Sequence, residues 1–255
     1  MILYTPTPVL FSIGPLAIRY YSLAYILGFI FCWFALRKKY GEQGEEILVY
    51  VMLATIIGGR LGEFLFYSPS TFITDPLEIL QIWHGGMSFH GAILALVLVL
   101  AWYARRRRLS FLALADTLVV PATGALVLGR IANFFNGELY GTVTNVPWCV
   151  QVSGVSGCRH PSPLYEAAYT LAIFIVLFVL VHGRSELSKQ KGFLFFMFVT
   201  MYGVFRFVEN FWRDDLRWLG LSTGQYLCIL MVILGSYMLA TKYKYRASRG
   251  KRHAA

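Results

Sequence analysis

The chain has 255 residues, of which 57% are hydrophobic and only 14% are charged, and its formal net charge is +10. Soluble domains have roughly 45–50% apolar and about 25% charged residues, so this composition excludes an ordinary soluble protein and predicts a membrane protein. The positive charge does not indicate nucleic acid as a partner, because no aromatic and basic binding module accompanies it. Sixteen of the 23 lysines and arginines instead lie in four clusters, one after every second apolar segment.

Seven segments are apolar and long enough to cross a bilayer, which takes about 20 residues. They are residues 16–36, 47–67, 88–103, 112–135, 164–181, 193–212 and 223–243. Because basic clusters mark the cytoplasmic side, this pattern predicts the N-terminus outside and the C-terminus inside. The predicted fold is an all-α polytopic membrane protein, with residues 1–255 in a single seven-span domain whose basic tail lies near the anionic lipids of the inner surface.

The first two spans carry residues that a purely apolar helix does not need. Tyr21 lies near the outer end of the first span, where an aromatic residue can simply mark the membrane boundary. In the second span, Gly58 and Gly62 have the spacing that lets two helices touch. Arg60 and Glu63 lie three residues apart, which predicts an ion pair that neutralises both charges and stabilises helix packing.

Two features stand at the entrance to the third span. Asp75-Pro76 is a typical helix start and predicts a short interfacial helix over about residues 75–84. His90 follows a glycine-rich stretch at the outer end of the span, and its ordinary pKa of about 6.5 makes it a candidate proton acceptor. A hydrogen bond to a neighbouring carbonyl is the structural alternative for this histidine.

The end of the fourth span places charged and amide groups where hydrocarbon should continue. Such groups are costly at membrane depth and usually have a partner or a function. If the helix continues, Arg130, Asn133, Gly137 and Gly141 fall on one narrow stripe. A guanidinium among small residues predicts a pocket for a lipid that carries a phosphate.

The following connection, about residues 138–163, is rich in Gly, Ser, Pro and Val and predicts a small extracytoplasmic head with short strands. It contains Cys149 and Cys158, whose spacing is compatible with a disulfide and with two free thiols. Cys32 and Cys228 lie inside apolar spans, where cysteine packs as a small hydrophobic residue. No Cys/His cluster has metal-ligand spacing, so neither a metal nor a cofactor is expected.

The fifth and sixth spans contribute further polar residues. Glu166 lies near the start of the fifth span, where it could balance a buried arginine. On the sixth span a polar stripe at helical spacing predicts a face toward the bundle interior or a wet cavity. The stripe consists of Tyr202, Arg206, Glu209, Asn210 and Arg213. A functional role is favoured for Arg206, whereas Arg213 can be explained as a marker of the outer membrane boundary.

Several of these blocks together resemble the bacterial prolipoprotein diacylglyceryl transferases, in the family's order and over nearly the whole chain. The matching blocks are Ser12-Ile13-Gly14-Pro15, Tyr20-Tyr21, Gly58-Gly59-Arg60-Leu61-Gly62, Gly85-Gly86-Met87-Ser88-Phe89-His90-Gly91, the stretch from Gly129-Arg130 to Gly141, His160-Pro161-Ser162 with Leu164-Tyr165-Glu166, and Tyr202-Gly203 with Arg206. The histidine block and the Gly129 to Gly141 stretch are the most specific of them.

The resemblance implies a multi-pass enzyme of the bacterial inner membrane with its active site toward the extracytoplasmic leaflet. Such an enzyme moves diacylglycerol from phosphatidylglycerol to the lipobox cysteine of a prolipoprotein signal peptide, forms a thioether and releases glycerol phosphate. It implies catalytic roles for His90, Arg130 and Arg206. The substrate-binding positions that we expect are Arg130, Tyr21, Asn133, Glu138, Gly141, Tyr202 and Glu166.

Two positions depart from the family pattern. Pro163 stands where glutamine is common, which we regard as a tolerated variant. A glutamate usually follows the second arginine by four residues, whereas this chain has Asn210 there and Glu209 one residue earlier. Two other interpretations therefore stand beside the transferase: an inactive lipid-binding relative, and a polytopic transporter, since charged residues within membranes also line solute pathways. The absence of an evident inverted repeat argues against the transporter.

Overall fold

A computed structural model describes residues 2–14, 16–81, 85–183 and 186–243. Seven helices in this part of the chain are long and apolar enough to cross a membrane. They are α1 (Tyr20–Tyr40), α2 (Glu42–Phe66), α4 (Phe89–Arg106), α5 (Phe111–Asn136), α6 (Ser162–His182), α7 (Phe193–Glu209) and α8 (Thr223–Met238). The sixth and seventh spans continue beyond α7 and α8 to Trp212 and Tyr243. The predicted all-α class and the number of spans are thereby confirmed.

The remaining elements are short. They are β1 (Ile2–Tyr4), β2 (Val9–Ile13), β3 (Leu16–Arg19), α3 (Pro69–Thr74), β4 (Val150–Val152), β5 (Arg217–Trp218) and β6 (Leu221–Ser222). Short 3-10 helices span Pro76–Leu80 and Asn210–Trp212, and a π-helical turn, Leu239–Tyr243, follows α8. The strands form three two-stranded sheets: β1 with β4 in parallel, and β2 with β3 and β5 with β6 antiparallel.

Two predicted boundaries are wrong. The first span does not begin at residue 16, because Leu16–Arg19 pairs with Val9–Ile13 as a β-hairpin and the helix starts at Tyr20. The helix predicted over about 75–84 is only a 3-10 helix at Pro76–Leu80, which follows the six-residue helix Pro69–Thr74. Residues 82–84 of that prediction lie outside the described part of the chain.

The chain divides into two compact units, with boundaries inside α1 and α5. The first unit comprises Met1–Phe31 and Leu118–Ala255. Its apolar core includes Val119, Tyr169, Ile173, Leu177 and Leu194. On α8, large apolar side chains such as Leu230 and Ile233 remain exposed, as expected where lipid rather than water surrounds a helix.

The second unit comprises Cys32–Thr117. Helices α2 and α4 touch here because glycines leave room for the backbones: a Cβ on Gly91 would collide with Gly58 and Gly62. This confirms the close approach predicted from the spacing of the two glycines. Ser88 caps α4, since its side chain accepts a hydrogen bond of 3.1 Å from the backbone N–H of Gly91.

Candidate functional site

The centre of the first unit's polar interior is the carboxylate of Glu166, near the start of α6, which is completely buried. Its Oε1 accepts hydrogen bonds from Arg206 at 2.5 Å and from Arg213 at 2.7 Å. Its Oε2 forms an ion pair with Nε of Arg130 at 2.7 Å. Three arginines, one from the fourth span and two from the end of the sixth, therefore converge on a single carboxylate.

Arg206 has a second partner on its own helix. Its Nη1 donates to Oε2 of Glu209 at 2.8 Å, and Glu209 is also buried. The glutamate that stands three rather than four residues after the arginine thus still neutralises it, because both spacings bring side chains to the same face of a helix. Asn210 is completely buried and begins the 3-10 helix that follows.

A hydrogen-bonded chain extends from Arg130 to the N-terminal part of α1. Arg130 donates to the side-chain oxygen of Asn133 at 3.2 Å, and the amide of Asn133 donates to Tyr21 and, at 3.2 Å, to Glu138. The hydroxyl of Tyr21 also donates to Glu138 at 2.8 Å. Four of the predicted site residues therefore form one connected network beside the arginine cluster.

The predicted helical stripe from Arg130 to Gly141 is only half correct. The helix ends at Asn136, because Gly137 takes a left-handed conformation with φ of 69°. Gly141 therefore does not lie on α5. It lies instead where the head meets the end of α7: its N–H donates to the carbonyl of His160 at 2.8 Å, and a Cβ there would collide with the carbonyl of Trp212.

The cluster is buried but still reachable. The side chains of Arg130, Arg206 and Arg213 are 18%, 16% and 10% exposed, whereas Glu166 is not exposed at all. Three guanidiniums face two buried carboxylates, so the core of the cluster has one surplus positive charge. Asp215, which contacts Arg213 at 3.1 Å, lies at the edge and is itself about one-third exposed. Such an arrangement can accept an anion in place of a loosely held carboxylate.

Tyr202 and His90, two further predicted residues, have contacts of other kinds. Tyr202 packs against the rings of Tyr169 and Phe198 and makes no hydrogen bond among the described residues. His90 belongs to the second unit, where it is exposed and lies 3.0 Å from the hydroxyl of Tyr67. Its partner within that unit is a tyrosine hydroxyl and not the carbonyl of the structural alternative.

The predicted pair of Arg60 and Glu63 is wrong. In the described part of the chain Arg60 forms its ion pair with Glu78, at 3.5 Å, and donates to several backbone carbonyls of the segment between α3 and α4. Those carbonyls belong to Glu78, Ile79, Gln81, Gly85 and Gly86. A planar guanidinium has five N–H donors and can therefore donate hydrogen bonds to several carbonyls at once. A single ion pair with Glu63 on the same helix would satisfy fewer of these donors.

Arg213 belongs to the arginine cluster, although the sequence favoured a role as a marker of the membrane boundary. It lies seven residues after Arg206, so both were predicted to share a face, but the adjacent aspartates favoured a boundary marker. Its bond to Glu166 requires the chain to leave α7 through the 3-10 helix Asn210–Trp212, which no local pattern predicts. Among the described residues no group of three or more His, Cys, Asp or Glu is arranged to hold a metal ion.

The head beside this site contains a disulfide between Cys149 and Cys158. The spacing of the two cysteines was compatible with a disulfide and with free thiols, and the structure shows the disulfide. The adjoining His160 lies 3.1 Å from the hydroxyl of Tyr165, and burial lowers the pKa of its imidazole. The N-terminal strand also reaches this region, since the hydroxyl of Tyr4 donates to the carbonyl of Phe135 at the end of α5 at 2.7 Å.

Comparison with known proteins identifies relatives along almost the whole chain. The family model described as prolipoprotein diacylglyceryl transferase matches residues 8–241. Proteins named phosphatidylglycerol–prolipoprotein diacylglyceryl transferase are similar throughout. The one from Geobacter sulfurreducens is 40% identical over 91% of this chain and 93% of its own length. The one from Vibrio cholerae is 41% identical over 93% and 92%.

A third relative of the same name, from Wolbachia pipientis, is 38% identical over 94% of this chain and 97% of its own length. Nothing in these comparisons supports the transporter. With a family model that covers most of the residues and relatives of about 40% identity over more than 90% of both chains, the chain belongs to the prolipoprotein diacylglyceryl transferase family.

Proposed function

We propose that this protein transfers the diacylglyceryl group of phosphatidylglycerol to the lipobox cysteine of a prolipoprotein signal peptide. The products are a thioether-linked lipoprotein precursor and glycerol phosphate. The observation that carries this proposal is the convergence of Arg130, Arg206 and Arg213 on Glu166. Family membership indicates which reaction to expect. The arginine cluster offers an anion site with the positive charge that a phospholipid phosphate requires.

The reaction needs a thiolate and a stabilised leaving group. The cysteine sulfur attacks the glyceryl carbon next to the phosphate ester, a carbon–sulfur bond forms, and the carbon–oxygen bond to phosphate breaks. Negative charge then grows on the departing phosphate. Guanidiniums stabilise this charge most strongly when they are already positioned where it develops. Arg130 and Arg206 have this role in our proposal, with Glu166 and Glu209 holding them in place.

The neighbouring hydrogen-bonded network would orient the lipid. Asn133 and Tyr21 connect Arg130 to Glu138, so that a shift of one side chain disturbs the others. Gly141 keeps the head close to the end of α7, and Tyr202 packs beside the cluster. His90 is proposed to take the thiol proton, and this proposal rests on its sequence block and its exposure within its own unit.

We further propose that the chain forms a single membrane domain of the bacterial inner membrane, with the N-terminus outside and the C-terminus inside. The site then lies toward the extracytoplasmic leaflet. The supporting observations are the basic clusters after alternate spans and the disulfide of the head, since disulfides persist in oxidising compartments.

One assay tests the function. Purified protein is incubated with phosphatidylglycerol vesicles and a synthetic lipobox peptide, and the products are followed by mass spectrometry and by released glycerol phosphate. We expect both products in equal amounts. A peptide whose lipobox cysteine is replaced by serine is the control. Lipid binding without either product would identify an inactive relative and overturn the proposal.

A further inference from the structure

We propose that Cys149 and Cys158 are a redox modification site, and that their oxidation by a disulfide-carrying oxidoreductase of the extracytoplasmic compartment sets the position of the arginine cluster. The inference rests on the proposed function, because its main readout is transferase activity. In this inference the head positions Arg213, and oxidation of Cys149 and Cys158 controls that positioning.

The first step is the placement of the disulfide in a weakly structured segment. Between the end of α5 and the start of α6, the only regular strand among the elements of the head is the three-residue β4. The disulfide closes a loop of sequence separation 9 and lies beside the paired backbones of Val150 and Arg159, which exchange two hydrogen bonds of 2.9 Å. The disulfide therefore adds a covalent tie to a segment that has little regular secondary structure of its own.

The second step leads from the disulfide to residues 141–143, an extended segment held by isolated β-bridges that we call the inner strand of the head. The residue after Cys158 is Arg159, whose side chain donates to the carbonyl of Gly141 at 3.1 Å and to Asp214 at 2.9 Å. The next residue, His160, donates its N–H to the carbonyl of Thr142 at 3.1 Å and accepts from the N–H of Gly141 at 2.8 Å. The disulfide therefore fixes the strand that holds Gly141 and Thr142.

The third step leads from this strand to the cluster. Thr142 donates its N–H to the carbonyl of Trp212 at 2.8 Å, and Gly141 forms a β-bridge with Arg213. Arg213 is the residue whose guanidinium reaches Glu166 at 2.7 Å. On the other side, Cys158 is followed after eight residues by Glu166 itself, through the start of α6. Both partners of this ion pair are thus attached to the disulfide-bonded loop.

The chemistry is an ordinary thiol–disulfide exchange. The thiolate of Cys158, which is partly exposed, attacks the disulfide of the oxidoreductase and forms a mixed disulfide. Cys149 then displaces the oxidoreductase, which leaves as a dithiol and carries the two electrons, while the two protons from the cysteines end on its thiols. Reduction by a dithiol is the same sequence in reverse.

The experiment compares the oxidised and reduced protein directly, so that it does not depend on a variant that folds. Protein in phosphatidylglycerol nanodiscs is reduced with dithiothreitol, alkylation and mass spectrometry establish that Cys149 and Cys158 are free, and the rate of peptide lipidation is measured. We expect the rate to fall about tenfold, since a misplacement of ~1 Å can cost up to about 10²-fold. Reoxidation with oxidised glutathione should restore it.

A second readout and a control variant make the outcome specific. Backbone amide exchange of Gly141, Thr142 and Arg213 should accelerate on reduction and slow again on reoxidation. The Cys149→Ser/Cys158→Ser double variant should have the rate of the reduced protein and should not respond to dithiothreitol, which excludes an effect through Cys32 or Cys228.

An unchanged rate in fully reduced protein overturns the inference, whatever the exchange shows. If the oxidised protein has no transferase activity at all, the proposed function fails, and amide exchange alone decides the inference: unchanged exchange on reduction overturns it and faster exchange supports it.

Discussion

The side chain of Glu166 shows why one buried residue can determine the properties of a whole site. A charge without a partner is strongly disfavoured in an apolar interior, and a carboxylate that holds three arginines removes most of this cost. The same ion pairs offset the mutual repulsion of the guanidiniums and fix their orientation. Glu166 is one of the substrate-binding positions that we expect, and it is also the residue on which the orientation of the three arginines depends.

Glu166→Gln tests this dependence. The amide has the same shape but no charge, so three guanidiniums lose their common partner, and we expect the free energy of unfolding to fall by about 3–5 kcal/mol. Chemical unfolding in detergent micelles measures the change. Glu45→Gln is the matched control, because Glu45 pairs with Arg37 at 2.8 Å on the surface and such pairs contribute only about 0–1 kcal/mol. Equal effects of the two substitutions would contradict the argument.

Arg130→Lys and Arg206→Lys test the phosphate assignment. Lysine keeps the charge but lacks the planar fork of the guanidinium. Its single ammonium group cannot contact Glu166 and a phosphate together in the way that arginine can. We expect the rate of peptide lipidation to fall by at least about 10²-fold, as when a transition-state donor is removed, while membrane insertion stays normal. Arg107→Lys should have no effect, since Arg107 is an exposed residue paired with Glu46. Normal activity in Arg130→Lys would refute the assignment.

His90→Gln tests the proposed proton acceptor. Glutamine can keep a hydrogen bond to Tyr67 but cannot take a proton, so we expect a loss of about 10²-fold or more in the rate at neutral pH. Measuring the rate as a function of pH gives a sharper criterion, because the loss should shrink at high pH, where the substrate thiol ionises without help. A rate within twofold of the wild type across the range would assign a structural role to His90.

At the scale of elements, the important feature is the junction between the end of α5, the head and the end of α7. Helix α5 stops at Asn136 because Gly137 turns the chain, and this turn brings Glu138 back to Asn133. Gly141 then passes so close to Trp212 that no side chain fits. The junction places Arg213 and the Asn133 network on the same side of the unit as the start of α6.

Gly141→Ala tests the junction, and Gly129→Ala is its matched control. The new Cβ at residue 141 would collide with the carbonyl of Trp212 and must displace the backbone, whereas the Cβ at residue 129 meets nothing within 4 Å and lies inside a helix. We expect Gly141→Ala to reduce lipidation by about 10-fold to 10²-fold through misplacement of the cluster, and Gly129→Ala to retain it. The prediction is wrong if both variants lipidate the peptide equally well.

At the scale of the whole molecule, charge and apolar length together set the arrangement in the membrane. In the topology that we propose, seven spans with basic clusters after alternate spans place the two ends of the chain on opposite sides. Many large apolar side chains remain exposed on the helices, which is favourable only where lipid tails surround them.

Fusions to reporter enzymes test the orientation. Alkaline phosphatase, which is active only outside the cytoplasm, should be active when fused after residue 137 and inactive after residue 108 or 243. Green fluorescent protein should give the opposite pattern, because it matures in the cytoplasm. Replacing Arg105 to Arg108 by neutral residues should weaken the pattern, as each basic residue contributes to retention on the inner side. A reversed pattern in the unmodified chain would disprove the proposed topology.

The sequence by itself determined the class of protein, the number of spans and the family. These follow from apolar length and from motifs in a fixed order, which are local properties of the chain. It also identified Arg130, Asn133 and Glu138 as polar residues in an apolar setting, whereas only the family resemblance gave Tyr21 a role. Helical spacing gave Arg206 and Glu209 a shared face, and the structure pairs them at 2.8 Å.

Only the tertiary structure decided which charges meet. Arg60 turned to backbone carbonyls distant in sequence instead of to Glu63, and Arg213 reached Glu166 although its neighbours are aspartates. A β-hairpin at residues 9–19 occupies the predicted start of the first span. The disulfide forms because the fold of the head brings Cys149 and Cys158 together. For both arginines the deciding contact joins residues that local periodicity cannot relate, because the pairing of a buried charge depends on the partner that the fold brings within reach.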